Sequence, residues 1–245
     1  MGKRDIKKHV KERYAKVASN DNVSSDSFGY AKSIGYSEQE IKSVPAEAAV
    51  THGCGNPMVF AELKDGQIVV DLGCGGGLDV FLAAQKVGPS GKVIGLDITP
   101  EMIEKASSSA TKGNFKNVEF IVAEIEKLPV GHDSVDVVIS NCVINHSLDK
   151  LAVFKEVYRI LKPGGRMFVS DLVTGGKFSQ DAIRNVDTIW AEWLTVASGE
   201  QEYLNAIKEA GFREISVLTK GTFGMAEADN ILRGKIISIQ IKGIK

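Results

Sequence analysis

A mostly parallel α/β sheet with helices on both faces is the fold class this sequence predicts, and three observations predict it. From Gln67 onward, apolar, β-branched runs of strand length recur at 68–72, 92–96, 118–122, 135–140 and 167–170. Stretches of helical character at 79–86, 100–109 and 151–161 separate them. The runs are apolar throughout rather than alternating, which requires cover on both faces of the sheet.

Ahead of the sheet, Ile6, Val10, Tyr14 and Val17 recur at helical spacing among lysines and arginines, so this segment reads as an amphipathic helix packed on the main domain. Residues 20–29 are polar, rich in Ser, Asp and Asn, and read as a loop. Ser37, with Glu40 three residues on, has capping character and should start a short helix that Pro45 closes. Lys162-Pro163-Gly164-Gly165 stops a helix and turns the chain into the fifth strand. Residues 190–202 read as helix that continues through 203–210 until Gly211 ends it. Two final strands, 214–218 and 236–241, form a hairpin-like pair at one sheet edge.

At 245 residues the chain suits one α/β domain with additions. A net charge of -1 gives no field that would recruit nucleic acid or an anionic membrane, so neither partner is expected. No apolar run approaches the roughly 18 residues of a membrane span. The basic first residues lead into no apolar stretch, so no signal peptide is expected, and Ile6 stands where a myristoylation signal wants Ser or Thr. Three scattered cysteines cannot build a disulfide framework, and with no Cys-x-x-Cys pair no structural zinc site is expected. A reducing, cytoplasmic setting is the expected location.

Val69-Val70-Asp71-Leu72-Gly73-Cys74-Gly75-Gly76-Gly77 runs from a strand into a helix, where glycines let backbone approach a ligand at the helix N-terminus. A dinucleotide fingerprint would need Gly or Ala where Leu78 stands. Asp71 would repel a pyrophosphate but suits the ammonium and sulfonium of S-adenosylmethionine. Asp97 closes the second strand, where a carboxylate accepts hydrogen bonds from both ribose hydroxyls. Glu124-Ile125-Glu126 follows the third strand, at the place of an adenine. Together these features resemble the class I S-adenosylmethionine-dependent methyltransferases. That resemblance implies a Rossmann-like fold with a seven-stranded, mostly parallel sheet whose last strand is antiparallel. It also implies a cofactor set of Asp71, Gly73, Gly75, Gly77, Asp97, Ile98, Met102, Glu124, Ile125 and Asn141.

Two cysteines stand in unusual settings. Cys54 lies in Thr51-His52-Gly53-Cys54-Gly55-Asn56-Pro57, and Cys142 in Ser140-Asn141-Cys142-Val143-Ile144-Asn145 at the carboxyl end of the fourth strand. Ligands of open α/β sheets bind outside such strand ends. A lone cysteine is ordinarily a small core hydrophobe, and Cys74 reads that way. The contexts of Cys54 and Cys142 resemble the arsenite methyltransferases. So do 35–45, 71–79, 97–103 and 124–129, and the resemblance covers most of residues 30–175. It implies that Cys54 and Cys142 are the catalytic pair and bind trivalent arsenic, a soft centre that prefers thiolates. The implied role is arsenic detoxification, with a small thiol such as glutathione as a possible partner.

Departures from that family shape the substrate expectation. Ser24, Ser25 and Ser27 occupy the N-terminal loop where relatives carry cysteine, Trp193 aligns with a later cysteine, and His146 replaces an apolar residue. Two thiols leave arsenite one ligand short of three sulfurs but saturate the two exchangeable positions of monomethylarsenite, so the expected substrate is preferably monomethylarsenite, or else arsenite completed by an external thiol. The alternatives are a methyltransferase for another soft or organic acceptor, and a non-catalytic metalloid-binding protein. Three lesser expectations complete the reading. His52 is a candidate to lower the Cys54 pKa, His132 is surface filler, and Trp190 and Trp193 form a lid or core face. The expected organisation is 1–60 as a helical and loop segment bringing a lid and Cys54, 61–175 as the S-adenosylmethionine-binding core, and 176–245 completing the sheet and the acceptor pocket.

Overall fold

The computed structural model describes residues 3–19, 25–176, 178, 193–194, 196–223 and 234–245. Seven strands form one sheet: β1 (Ile68–Leu72), β2 (Lys92–Asp97), β3 (Val118–Val122), β4 (Val135–Asn141), β5 (Leu161–Thr174), β6 (Arg213–Thr222) and β7 (Ile236–Ile244). Their order is β3-β2-β1-β4-β5-β7-β6. The first five pair in parallel, and β7 runs antiparallel to both β5 and β6. This is the expected seven-stranded sheet with its last strand reversed.

Period-two geometry sends neighbouring side chains to opposite faces. Val69, Val137 and Ile139 enter one buried cluster with Phe81, while Val70, Leu72 and Val138 enter the other with Phe154 and Tyr203. Both faces are therefore dry, as continuous apolar strands require. The covering helices are α4 (Leu78–Val87), α5 (Pro100–Lys112), α6 (Lys150–Ile160) and α7 (Glu200–Glu209), and further helices precede them in the N-terminal segment. β5 is far longer than the expected 167–170. It pairs with β7 from Arg166 opposite Ile244 to Thr174 opposite Ile236, and it bulges over 162–165 between its pairings with Val135 and Val137.

The N-terminal segment holds α1 (Lys3–Ala18), α2 (Ser25–Ser33) and α3 (Glu38–Lys42). α3 starts at the expected capping box, with the Glu40 amide donating to Ser37 Oγ at 3.2 Å and the Ser37 amide donating to Glu40 Oε2 at 2.8 Å. The loop expected at 20–29 is corrected, because 25–29 belong to α2. Phe28, Ala31 and Ile34, one turn apart, pack into the core, and this burial overrides the polar local composition. The continuous helix expected from 190 to 210 is also corrected. Trp193, Leu194 and Val196 are helical, but the chain then leaves the helix and Gly199 bridges Thr174 before α7 begins.

Candidate active site

The carboxyl ends of β1, β2 and β4 open into a cleft roofed by Lys7, Val10 and Tyr14 of α1. Asp71, Gly73, Gly75, Asp97, Ile98, Met102, Ile125 and Asn141 line it together with Cys142. Gly75 has a φ of 51°, and a Cβ built there meets nothing within 4 Å, so the space against it belongs to the cleft. Its amide donates to Asp97 Oδ2 at 3.0 Å, and the Thr99 amide donates to Asp97 Oδ1 at 2.9 Å. Gly77 is not on the wall, since it caps the start of α4. Nor is Glu124, which accepts from Lys7 of α1 at 2.8 Å while Glu126 accepts from the same ammonium at 3.0 Å.

Asp79, which also lines the cleft, joins Asp71 and Asp97 in a group of acids that the motif alone reveals only in part. Asp71 and Asp79 are 2% and 6% exposed. Burial pushes the Asp71 carboxyl well up, and the charges that act on it, Asp79 and Asp97, are both negative. Burial likewise raises Asp79 to about 6, although hydrogen bonds from Tyr36 and Asn141 favour its ionised form. Tyr36 donates to Asp79 Oδ1 at 2.8 Å. Convergent carboxylates without a matching cation among the described residues fit a ligand that carries its own positive charge. The ammonium and sulfonium of S-adenosylmethionine meet that requirement.

Asn141, the last residue of β4, joins this cleft to Cys54. Its Oδ1 accepts from the Cys54 amide at 3.0 Å, and its Nδ2 donates to the Gly55 carbonyl at 2.7 Å and to Tyr36 Oη at 2.9 Å. Gly53 makes this approach possible, because a Cβ there would lie 2.6 Å from Asn141 Cγ. Cys142 follows with a φ of 60°, a conformation costing an L-residue roughly 1–2 kcal/mol. Backbone strain of this kind concentrates at functional positions. The Cys142 amide donates to the Ser170 carbonyl at 2.7 Å.

The structure brings the two thiols together. The sulfurs of Cys54 and Cys142 and a carboxylate oxygen of Asp171 all lie within 4.8 Å of one another. Cys54 is 4% exposed and shares an apolar cluster with Leu172, Trp193, Leu194 and Ile236. Burial first, and then Cys142 and Asp171, push its thiol well above the ordinary range. The expectation that His52 lowers it is therefore corrected. His52 instead packs edge-on against Tyr14, with ring centroids 6.0 Å apart. His146 lines the cleft, its pKa pushed down to about 4 by burial and then by the charges of Arg13 and Lys150, so it is neutral. Cys74 packs in the core below the glycine loop, Trp193 is a core residue, and Trp190 lies outside the described residues.

Sequence reasoning missed Tyr36, Asp79 and Asp171. An acid inside the apolar run of β5 was a signal available for Asp171. Asp79 looked like an ordinary acidic residue in a first helical turn, and nothing local marks Tyr36.

A family model described as a methyltransferase domain matches residues 63–211. An arsenite methyltransferase from Halobacterium salinarum is 40% identical over 233 residues, which is 88% of this chain and 59% of that protein. Another, from Aquipseudomonas alcaligenes, is 36% identical over 177 residues, 69% of this chain and 50% of that protein. The chain thus spans about half the length of the curated relatives it matches. The crystal structure of an arsenic(III) S-adenosylmethionine methyltransferase from Chlamydomonas reinhardtii superposes with a TM-score of 0.70 at 30% identity, over 88% of this chain and 73% of that one. Fold, glycine loop and these likenesses agree: the chain belongs to the class I S-adenosylmethionine-dependent methyltransferases, in the arsenite methyltransferase family.

Proposed function

We propose that this protein methylates a trivalent arsenical held by Cys54 and Cys142, with monomethylarsenite preferred over arsenite. The observation that carries the reading is the convergence of two thiols from distant segments beside a cleft floored by buried carboxylates. S-adenosylmethionine, when bound, supplies an electrophilic methyl group on a sulfonium. Asp71 and Asp79 would offset its positive charges, Asp97 would accept from ribose hydroxyls, and Ile98, Met102 and Ile125 would flank the adenine.

Cys54 and Cys142 lose their protons as they take the arsenical, and each proton leaves with a departing hydroxide as water. The nucleophile is the arsenic lone pair, which carries no proton, so the chain needs no general base. Its task is to position the arsenical and exclude water, and positioning of this kind supplies up to roughly 7–11 kcal/mol of a barrier. Leu172, Trp193 and Ile236 form the dry wall for that purpose. Trp193 packs beside Cys54 as an indole rather than a third thiol, which favours an arsenical that already carries one carbon.

Methyl transfer from labelled S-adenosylmethionine to each arsenical, in excess glutathione, tests this. Faster initial rates on monomethylarsenite are expected. A clear preference for arsenite would overturn the substrate choice, and no turnover on either would overturn the arsenical reading.

Two further results are expected of the cofactor cleft. A cationic ligand stabilises ionised Asp79 and so lowers its pKa from about 6. Binding below that pH must expel a proton from Asp79, whereas binding above it does not. Affinity for S-adenosylmethionine should therefore fall as pH drops, by up to about tenfold per unit below pH 6 through Asp79 alone, and Asp71, whose carboxyl burial also raises, adds to that fall. Calorimetry in buffers of different ionisation enthalpy would detect the released proton, and affinity unchanged down to pH 5 would exclude the linkage. The second result concerns α1, which we propose acts as a lid strapped by Lys7 to Glu124 and Glu126. Removing residues 1–19 should weaken cofactor binding about tenfold by opening the cleft to water. Unchanged affinity would show that α1 is only a packing element.

A further inference from the structure

We propose that Cys54, Cys142 and Asp171 form a binding site for a thiophilic divalent cation of the zinc or cadmium type. Asp171 is its third protein ligand, and water takes the open fourth position. One candidate ligand atom from each residue lies within 4.8 Å of the other two. A tetrahedral ion with sulfur and oxygen ligands at about 2.3 and 2.1 Å needs ligand separations of about 3.3–3.8 Å, so an inward movement of about an ångström suffices.

The frame around these atoms is fixed mainly by backbone hydrogen bonds, and the contact that Cys54 Sγ itself makes, to Asn141 Oδ1 at 4.0 Å, uses the thiol proton that a thiolate ligand gives up. The Cys142 amide donates to the carbonyl of Ser170, directly ahead of Asp171, at 2.7 Å. The Cys54 amide is held by Asn141, and its carbonyl accepts from the Ser238 hydroxyl at 2.8 Å. These contacts hold three separate chain segments in register.

Asp171 is 0% exposed and strongly oriented. Its Oδ2 accepts from the Tyr203 hydroxyl at 2.8 Å and from the Asn145 amide at 2.9 Å, and its Oδ1 accepts from the Leu172 amide at 2.8 Å. A carboxylate offers about four acceptor positions, so one on Oδ1 remains. Carboxylates that ligate metals are held by outer hydrogen bonds in this way.

A buried carboxylate is ordinarily paired or bound to a metal. The positive charge that acts on Asp171 comes from Lys150, whose Nζ donates instead to the carbonyls of Ser147 at 2.8 Å and Val196 at 2.7 Å. Cys54, Leu172, Trp193, Leu194 and Ile236 keep the surroundings apolar, which strengthens attraction between thiolates and a cation. No Cys-x-x-Cys pair announces the site in sequence, because tertiary structure alone assembles its ligands. The site itself stands apart from the arsenical reading. Mutual exclusion between cation and arsenical, which would compete for the same sulfurs, rests on that reading.

Cobalt(II) is the probe for a titration of the full chain. One equivalent should bind with thiolate-to-cobalt charge-transfer absorption and the visible bands of tetrahedral coordination. Cys142→Ser should lower the affinity at least tenfold and weaken the charge-transfer band. Asp171→Asn should lower the affinity by about 10–100-fold with that band retained. Zinc-edge X-ray absorption on the wild-type chain needs no variant and should find two sulfurs with two lighter atoms. Absence of the thiolate band, wild-type affinity in a folded Asp171→Asn, or a zinc shell without sulfur would overturn the proposal. Arsenite added to the cobalt-loaded chain should bleach the bands. Bands that persist would still support the cation site and would count against the arsenical reading alone.

Discussion

Cys142→Ser is expected to cut methyl transfer to either arsenical by at least about a thousandfold while S-adenosylmethionine affinity stays within about threefold, because the lost group is a soft ligand rather than a packing element. Serine preserves the size of the side chain and suits the same left-handed backbone, but its hydroxyl does not form a soft anion near neutral pH. The thiol is only partly buried, so the exchange creates no cavity. Thermal unfolding should move by no more than a few degrees, in line with a change worth under about 1 kcal/mol. Initial rates, cofactor titration and a melting curve on one preparation would check all three. A folded, cofactor-binding variant that keeps a tenth of its turnover would remove Cys142 from the acceptor site. Cys54→Ser is a less clean experiment, because Cys54 packs among Leu172, Trp193 and Ile236 and a hydroxyl there carries a stability cost.

Gly53→Ala should be nearly as damaging, for a different reason. The new methyl would lie 2.6 Å from Asn141 Cγ, so the amide must move. With it go the hydrogen bonds to the Cys54 amide, the Gly55 carbonyl and Tyr36 Oη. A thiol displaced by about 1 Å loses roughly 100-fold in rate, and crowding of this sort costs about 1–3 kcal/mol of stability. The discriminating experiment is a double-mutant cycle with Asn141→Ala. Removing the asparagine side chain vacates the space, so Gly53→Ala should then cost little more. A coupling free energy of about 1–3 kcal/mol is expected, and additive losses would show that the glycine acts independently of Asn141.

Much of this architecture is visible in the chain itself, and the exceptions have physical causes. β1 has the expected bounds because polar Gln67 and Gly73 close its apolar run on both sides, and β3 because polar Asn117 precedes its run and Glu124 follows one residue after its end. β5 was underestimated because its length is set by pairing with β7, a contact between distant segments. α2 escaped because its core contacts, Phe28, Ala31 and Ile34, are set in a polar surround. The site divides in the same way. Cys54 and Cys142 stand out because glycines and asparagines around a cysteine are unusual in a core run. The glycine loop announces itself because its backbone must turn tightly beside a ligand. Asp171, Asp79 and Tyr36 acquire meaning only from neighbours far away in sequence, since a hydrogen bond across the fold leaves no local signature. Glu124 shows the converse: its position after β3 suggested a cofactor contact, yet its carboxylate turns to Lys7.

Asn141 belongs at once to the cofactor cleft and to the proposed acceptor site, since one end of its amide holds the Cys54 loop and the other reaches Tyr36 and, through it, Asp79. That double membership gives the two sites a physical route of coupling, and any such coupling is reciprocal. Whatever factor a bound methyl donor adds to the affinity for the acceptor, the acceptor adds to the affinity for the donor. Neither order of addition is then privileged at equilibrium, and a substitution that severs the amide lowers both half-saturation concentrations' mutual dependence together.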